Sequence, residues 1–166
     1  MSKFSGFLVA SGVALVGFSG FAMKAEAANV DVSAAVVAQC TLVANALAFG
    51  NYVNGQASAK NGQADVSYDC ASGLDITLNL SSGANPGGGN VRNMESPTTF
   101  ELLSYELFQD AARSVDWGSG AAGINVNPTP GRGAQTHTIF GEIPPNLAVT
   151  PATNYADVVV FDLTVN

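Results

Sequence analysis

The strongest constraint on this chain is its hydrophobic rhythm. Short runs alternate apolar and polar residues with a period of two, and each stops at glycine, proline or asparagine. The cleanest run is Leu74–Leu80: Leu74, Ile76, Leu78 and Leu80 share one face, and Asp75, Thr77 and Asn79 the other. Asn29–Ala38 sets Val30, Val32, Ala34, Val36 and Ala38 against Asn29, Asp31, Ser33 and Ala35. Gln63–Cys70, Leu102–Phe108, Thr138–Ile143 and Asp157–Val165 also read as strands, and Thr41–Phe49 follows less regularly before Gly50. Gly55 and Asn61-Gly62 predict turns; Ser81–Asn90 (SSGANPGGGN), Gly118–Gly123 and Asn127–Gly133 predict loops. No window of about 10–12 residues carries a helical stripe. Roughly seven short strands separated by turn residues predict an all-β chain, an antiparallel sandwich of immunoglobulin-like architecture.

The first residues read as an address. Lys3 gives a positive start, Phe4 to Met23 carry no charge, and Ala25-Glu26-Ala27 supplies an A-x-A cleavage signature. Residues 1–27 are therefore expected to be a cleaved signal peptide. An uncleaved membrane anchor is the alternative, since about 20 uncharged residues can span a bilayer. Against it, Ser5, Gly6, Ser11, Gly12, Gly17, Ser19 and Gly20 interrupt the run, and no basic cluster follows. Residues 28–166 hold no second stretch of spanning length. The expected product is exported to the periplasm or beyond, with no membrane span after cleavage.

Charge and rare residues exclude several functions. Six Lys and Arg against 13 Asp and Glu give a net charge of −7. Nucleic-acid binding is not expected, because phosphate contacts need basic patches. Charged residues make up 11% of the chain, well below the usual quarter or so. Two Cys and one His exclude a zinc site built on Cys/His clusters. In an exported chain, Cys40 and Cys70 read as one disulfide; free thiols are the alternative for a reducing compartment. The bridge would close a loop of about 31 residues, worth about 3–4 kcal/mol in a chain-entropy account. No C-x-x-C motif suggests redox chemistry.

Catalytic signals are sparse. His137, in Gln135–Ile139 at the start of a strand, reads as an exposed or hydrogen-bonded structural residue. Glu101, Glu106 and Asp110 form a loose acidic group. A glycosidase needs two carboxylates converging across a cleft, and on a half-exposed strand these read as solvated. Asp65 and Asp69 lack calcium-loop spacing. Gly118-x-Gly120 and Gly131-x-Gly133 lack the strand–turn–helix context of phosphate loops. No enzymatic activity, metal or cofactor is expected.

The terminal strands are the unusual feature. An alternating apolar strand precedes Cys40, and another closes the sequence. Such strands are adhesive edges unless covered. The first either covers its own domain or completes a neighbour's by β-strand addition. Four segments then carry a resemblance. Val30-Asp-Val-Ser-Ala-Ala-Val-Val-Ala-Gln-Cys40 comes first, followed by Leu47-Ala-Phe-Gly50. Next is Tyr105-Glu-Leu-Phe-Gln-Asp-Ala-Ala-Arg113, with Trp117-Gly118 just after it. The fourth is Ile139-Phe-Gly-Glu-Ile-Pro144, then Tyr155-Ala-Asp157 and the apolar terminal strand. In this order they resemble subunits of archaic chaperone–usher pili, the spore coat protein U type that includes Csu-type pilins.

The resemblance implies an immunoglobulin-like domain, residues 39–166, that lacks its final strand. A donor segment, residues 28–38, would complete the next subunit by donor-strand exchange. Val30, Val32, Ala34 and Val36 would be the donor side chains, Ala34 being smaller than the bulky residue common in such strands. Val159, Phe161, Leu163 and Val165 would line the acceptor groove. The implied partners are identical or related pilin subunits, a periplasmic chaperone and an outer-membrane usher. The implied function is a structural pilus subunit at the cell surface, supporting attachment and biofilm formation. Two alternatives stay open: a secreted spore-coat-like structural protein without long fibres, and a carbohydrate-binding or hydrolytic secreted β-sandwich. The separate binding domain of a two-domain tip adhesin is not expected.

Overall fold

The alternating runs fold as strands and stack as two sheets. The computed structural model describes residues 32–35, 37, 39–131, 133–152 and 154–166. The signal peptide expected at 1–27, and the donor residues Val30 and Val36, lie outside them. The folded body comprises residues 36–166. Its strands are β1 (Cys40–Ala44), β2 (Lys60–Cys70), β3 (Ile76–Leu80), β4 (Asn85–Gly88), β5 (Val91–Glu95), β6 (Leu102–Phe108), β7 (Ile124–Val126), β8 (Gln135–Ile143) and β9 (Phe161–Val165). One sheet has the order β1-β2-β8-β6-β5-β4 and the other β7-β3-β9; every pairing is antiparallel.

Period two decides what is inside. Val66, Tyr68 and Cys70 of β2, Leu103, Tyr105 and Leu107 of β6, and Ile139 and Ile143 of β8 face Ile76, Leu78 and Leu80 of β3 across the sandwich. Trp117, fully buried, fills the centre and donates its indole N–H to the Leu78 carbonyl at 3.1 Å. Cys40 and Cys70 are bonded, and they sit opposite each other in the β1–β2 ladder with Cα atoms 4.1 Å apart. That spacing suits a non-hydrogen-bonded cross-strand pair. The bridge fastens the first strand to the core.

Several expectations need correction. Ser81–Asn90 is not all loop: Asn85–Gly88 forms β4, paired with β5. Its Asn-Pro-Gly-Gly sequence is tolerated because β4 is an edge strand, where a missing N–H costs no ladder bond. Strands β5 and β7 were not anticipated. In β5 the charged Arg92 is buried, and Met94 on the same face packs on the core. Asn61-Gly62 is not a turn but lies inside β2, with Gly62 opposite Gly141 of β8. Thr77 and Asn79, expected to face outward, are buried. The Gly118–Gly123 stretch covers them, with a 3-10 turn at Gly120–Ala122. A Cβ on Gly123 would come within 2.6 Å of Thr77, so the close approach requires glycine. The last strand begins at Phe161, not Asp157, and the first covers Cys40–Ala44 rather than Thr41–Phe49. In 29–38, the described residues 32–35 and 37 carry no strand and are exposed.

Candidate functional site

Two sheets have four edges, and two of these are blocked. Pro86 sits in β4, and β7 is three residues long with Pro128 two positions beyond it. Short strands and proline are the usual protection of an edge. Strands β1 and β9 carry neither. In the β3–β9 ladder, Ser81 N–H donates to the Val160 carbonyl and Asn166 N–H to the Asp75 carbonyl. Antiparallel bonding alternates, so even-numbered residues of β9 bond to β3. The N–H and C=O groups of Phe161, Leu163 and Val165 then point to the other side, where no described strand pairs. The same reasoning for β1 uses Asn45 N–H to Asp65 O and Ala71 N–H to Gln39 O. It leaves the backbone groups of Cys40, Leu42 and Ala44 directed away from β2.

Beside the ends of these edge strands lies a groove of two adjoining chambers, the first mainly apolar and the second lined also by Asn51, Asn54, Thr150 and Asn154. One, of about 390 Å³, runs between Ala44–Phe49 and Tyr155–Phe161 over a floor of Val66, Leu80, Met94, Tyr105, Leu107 and Ile139. The other, of about 490 Å³, extends under Val149–Tyr155 over Leu103 and Ile143. Leu47, Phe49, Met94 and Tyr155 line both.

A glycine pair positions the first rim. Gly62 and Gly141 face each other across β2 and β8. A Cβ on Gly141 would lie 2.8 Å from the Phe49 ring, and one on Gly62 would lie 3.1 Å from both Phe49 and Leu47. The bare patch lets Leu47-Ala-Phe49 lie flat against the sheet, and Phe49 meets Tyr105 edge to face at 5.8 Å. The Asn-Gly dipeptide and the Phe-Gly of β8 thus serve one packing purpose.

A polar cluster holds the second rim. Tyr105 is buried and donates its hydroxyl to Asp157 at 2.7 Å. Burial, and then that carboxylate, push the phenol far above its ordinary pKa. Asp157 in turn accepts from the Ala84 N–H at 2.8 Å and the Val158 N–H at 2.7 Å. Arg92, 1% exposed, donates to the carbonyls of Ser81, Trp117 and Asn90 at 2.8, 2.8 and 3.1 Å. It joins β5 to the end of β3, fixing Leu80 in the floor. Its burial lowers its pKa, and the nearby Asp157 carboxylate opposes that. Sequence reading missed Arg92. A lone arginine among polar neighbours carries no sign that it points inward.

The segment after β8 closes the second chamber and is pinned by side chains. Tyr52 OH donates to the Leu147 carbonyl at 3.2 Å, Asn54 accepts from Val149 N–H at 2.8 Å, and Glu101 accepts from the Thr150 N–H and hydroxyl. Those contacts hold Glu101 below the usual carboxylate range.

Of the residues expected in the groove, Val159 and Phe161 line it. Leu163 packs on the core beside it, and Val165 is half exposed at the far end. Leu47, Phe49, Met94 and Tyr155 were not assigned there. Leu47-x-Phe49 carried a readable signal, since two apolar residues at a period of two sit directly before a glycine. Val32 is 90% exposed, and Ala34 is exposed.

The acidic residues do not converge. Glu101 binds the Thr150 backbone. Asp110 caps its own turn through Ser114 and Val115 and is held below its ordinary pKa, chiefly by the Val115 N–H. Glu106 lies opposite Glu142 and is raised first by burial. Asp65 accepts from Thr138 at 2.7 Å and Asp69 from Gly133 N–H at 3.0 Å. Among the described residues, no three His, Cys, Asp or Glu side chains gather as metal ligands. His137 is neither exposed nor hydrogen-bonded among the described residues; it stacks on Tyr68 at 5.9 Å and meets Trp117 edge-on at 6.2 Å.

Comparison with known proteins agrees with this architecture. A match to the Spore Coat Protein U domain spans residues 26–162. Protein U of Myxococcus xanthus is 28% identical over 171 residues, covering 94% of each sequence. A chain in the crystal structure of the CsuC-CsuE chaperone-tip adhesion subunit pre-assembly complex, from archaic chaperone-usher Csu pili of Acinetobacter baumannii, superposes with a TM-score of 0.53 at 21% identity. The likeness covers 77% of this chain and 40% of that one, so this chain spans about two-fifths of its length. It is a likeness of fold.

Proposed function

The chain belongs to the Spore Coat Protein U domain family, and from that membership we propose that it is a structural subunit of an extracellular chaperone–usher pilus. It polymerises by donor-strand exchange. The observation that carries this reading is the groove: a trough with an apolar floor at the end of β9, an edge strand whose backbone groups at Phe161, Leu163 and Val165 pair with no described strand. An extended segment with apolar residues at alternate positions satisfies both needs at once. Residues 28–38 of a neighbouring copy have that pattern in Val30, Val32, Ala34 and Val36. During export, a periplasmic chaperone covers the trough and an outer-membrane usher exchanges it for the donor. The finished fibre stands at the cell surface and supports attachment. The chain acts by assembly and performs no catalysis.

Val32→Asp tests the reading. It places an unpaired carboxylate in the neighbour's apolar trough, which costs several kcal/mol or more. We expect normal yield of chaperone–subunit complex with few or no fibres by electron microscopy, while Asp31→Ala, on the opposite face, assembles normally. If Val32→Asp removes the chaperone complex together with the fibres, the segment is part of its own domain and the assignment is wrong.

A further inference from the structure

Met94 stands where the two chambers of the groove meet and lines both. It lies in β5 opposite Leu103 of β6, next to the Glu95–Ala156 bridge that ties β5 to the second rim. The side chain is only half buried, packed on the core from one side and open to the groove from the other. Met1 and Met23 precede residue 28, so Met94 is the one methionine of residues 28–166, and both cysteines are held in the disulfide.

We propose that Met94 is an oxidation site that controls whether the groove accepts a strand; this rests on the donor-strand reading above. The oxidant class is a small peroxide, which fits chambers of this size. The thioether sulfur attacks one peroxide oxygen. An S–O bond forms as the O–O bond breaks, and the second oxygen leaves as water after taking up the proton. Sulfur is oxidised by two electrons and the peroxide reduced by two. The sulfoxide is polar where the thioether was apolar. Its floor neighbours are Leu80, Leu103, Tyr105, Leu107 and Ile139, and an inserted apolar strand would strip it of water without bringing a side-chain donor. A subunit oxidised before pairing would therefore pair poorly. A subunit already holding a strand would be shielded, because the strand covers the sulfur.

The test uses the exported wild-type protein, diluted below the concentration at which it self-associates, with hydrogen peroxide and a fluorescent peptide of residues 28–38. Intact-mass and peptide mapping follow the one-oxygen gain at Met94, with and without bound peptide. We expect oxidation of the empty subunit at a rate near that of free methionine, and slowing by at least about tenfold when peptide is bound. Peptide affinity should fall by about tenfold or more after oxidation, the cost of burying an unpaired polar group. Met94→Leu, close in volume, should bind peptide and keep its affinity after the same treatment. Unchanged affinity once Met94 is fully converted overturns the inference while leaving the strand-exchange reading intact. So does resistance of the empty subunit to peroxide. If the untreated wild-type protein does not bind the peptide at all, the strand-exchange reading fails, and this inference with it.

Discussion

His137 shows how a single residue changes meaning once its surroundings are known. It is the only imidazole in the chain, and the sandwich places it between Tyr68 and Trp117. Burial lowers its pKa. The unfolded chain, titrating near about 6.5, thus binds the proton first as pH falls, and stability falls with it. The loss begins below that value and levels off once pH is under the depressed folded pKa. We expect the urea midpoint of the wild type to drop between pH 7 and pH 5. The drop should be largely absent in His137→Gln. An equal drop in both proteins would place the sensitivity elsewhere.

At the scale of elements, the lesson is the Leu47–Gly50 segment lying on the Gly62–Gly141 pair. Strand propensity alone ranks valine well above glycine, so Gly141→Val should stabilise an ordinary strand. Here its side chain would invade the Phe49 ring, whose nearest carbon stands 2.8 Å from the position of a Cβ. Overpacking of this kind costs about 1–3 kcal/mol. We expect Gly141→Val to be destabilised by that amount in denaturant melts and to bind the 28–38 peptide less well, because Phe49 lines both chambers. A variant as stable as wild type would mean that the segment does not rest on the glycines.

For the whole molecule, the consequence of two open edges beside an apolar trough is a fold that needs a partner. Val158 and Val160 are 72% and 56% exposed along the same rim. Exposed apolar surface next to unpaired strand edges drives association. Purified without partners, the subunit should self-associate in a concentration-dependent way. Adding the 28–38 peptide should restore a monodisperse species and raise Tm, by an amount equivalent to about 2.7 kcal/mol at a hundredfold excess over Kd. A monomer that is monodisperse at all concentrations, with a Tm indifferent to the peptide, would mean that the sandwich is already closed.

The sequence by itself determined the all-β class, the apolar inward face of β3, the Cys40–Cys70 bridge and the family. These are local signals: a period of two, turn residues, two cysteines and ordered motifs. What only the tertiary structure decided is how those pieces share space. Arg92 could be read as buried only once the carbonyls of Ser81, Asn90 and Trp117 were seen to converge on it. Gly62 reads as a turn residue until Phe49, 13 positions away, is found resting on it. Met94 acquires a role only where the two chambers meet. In each case the deciding contact joins residues distant in sequence, and a side chain's environment is set by the elements packed against it, which no local pattern records.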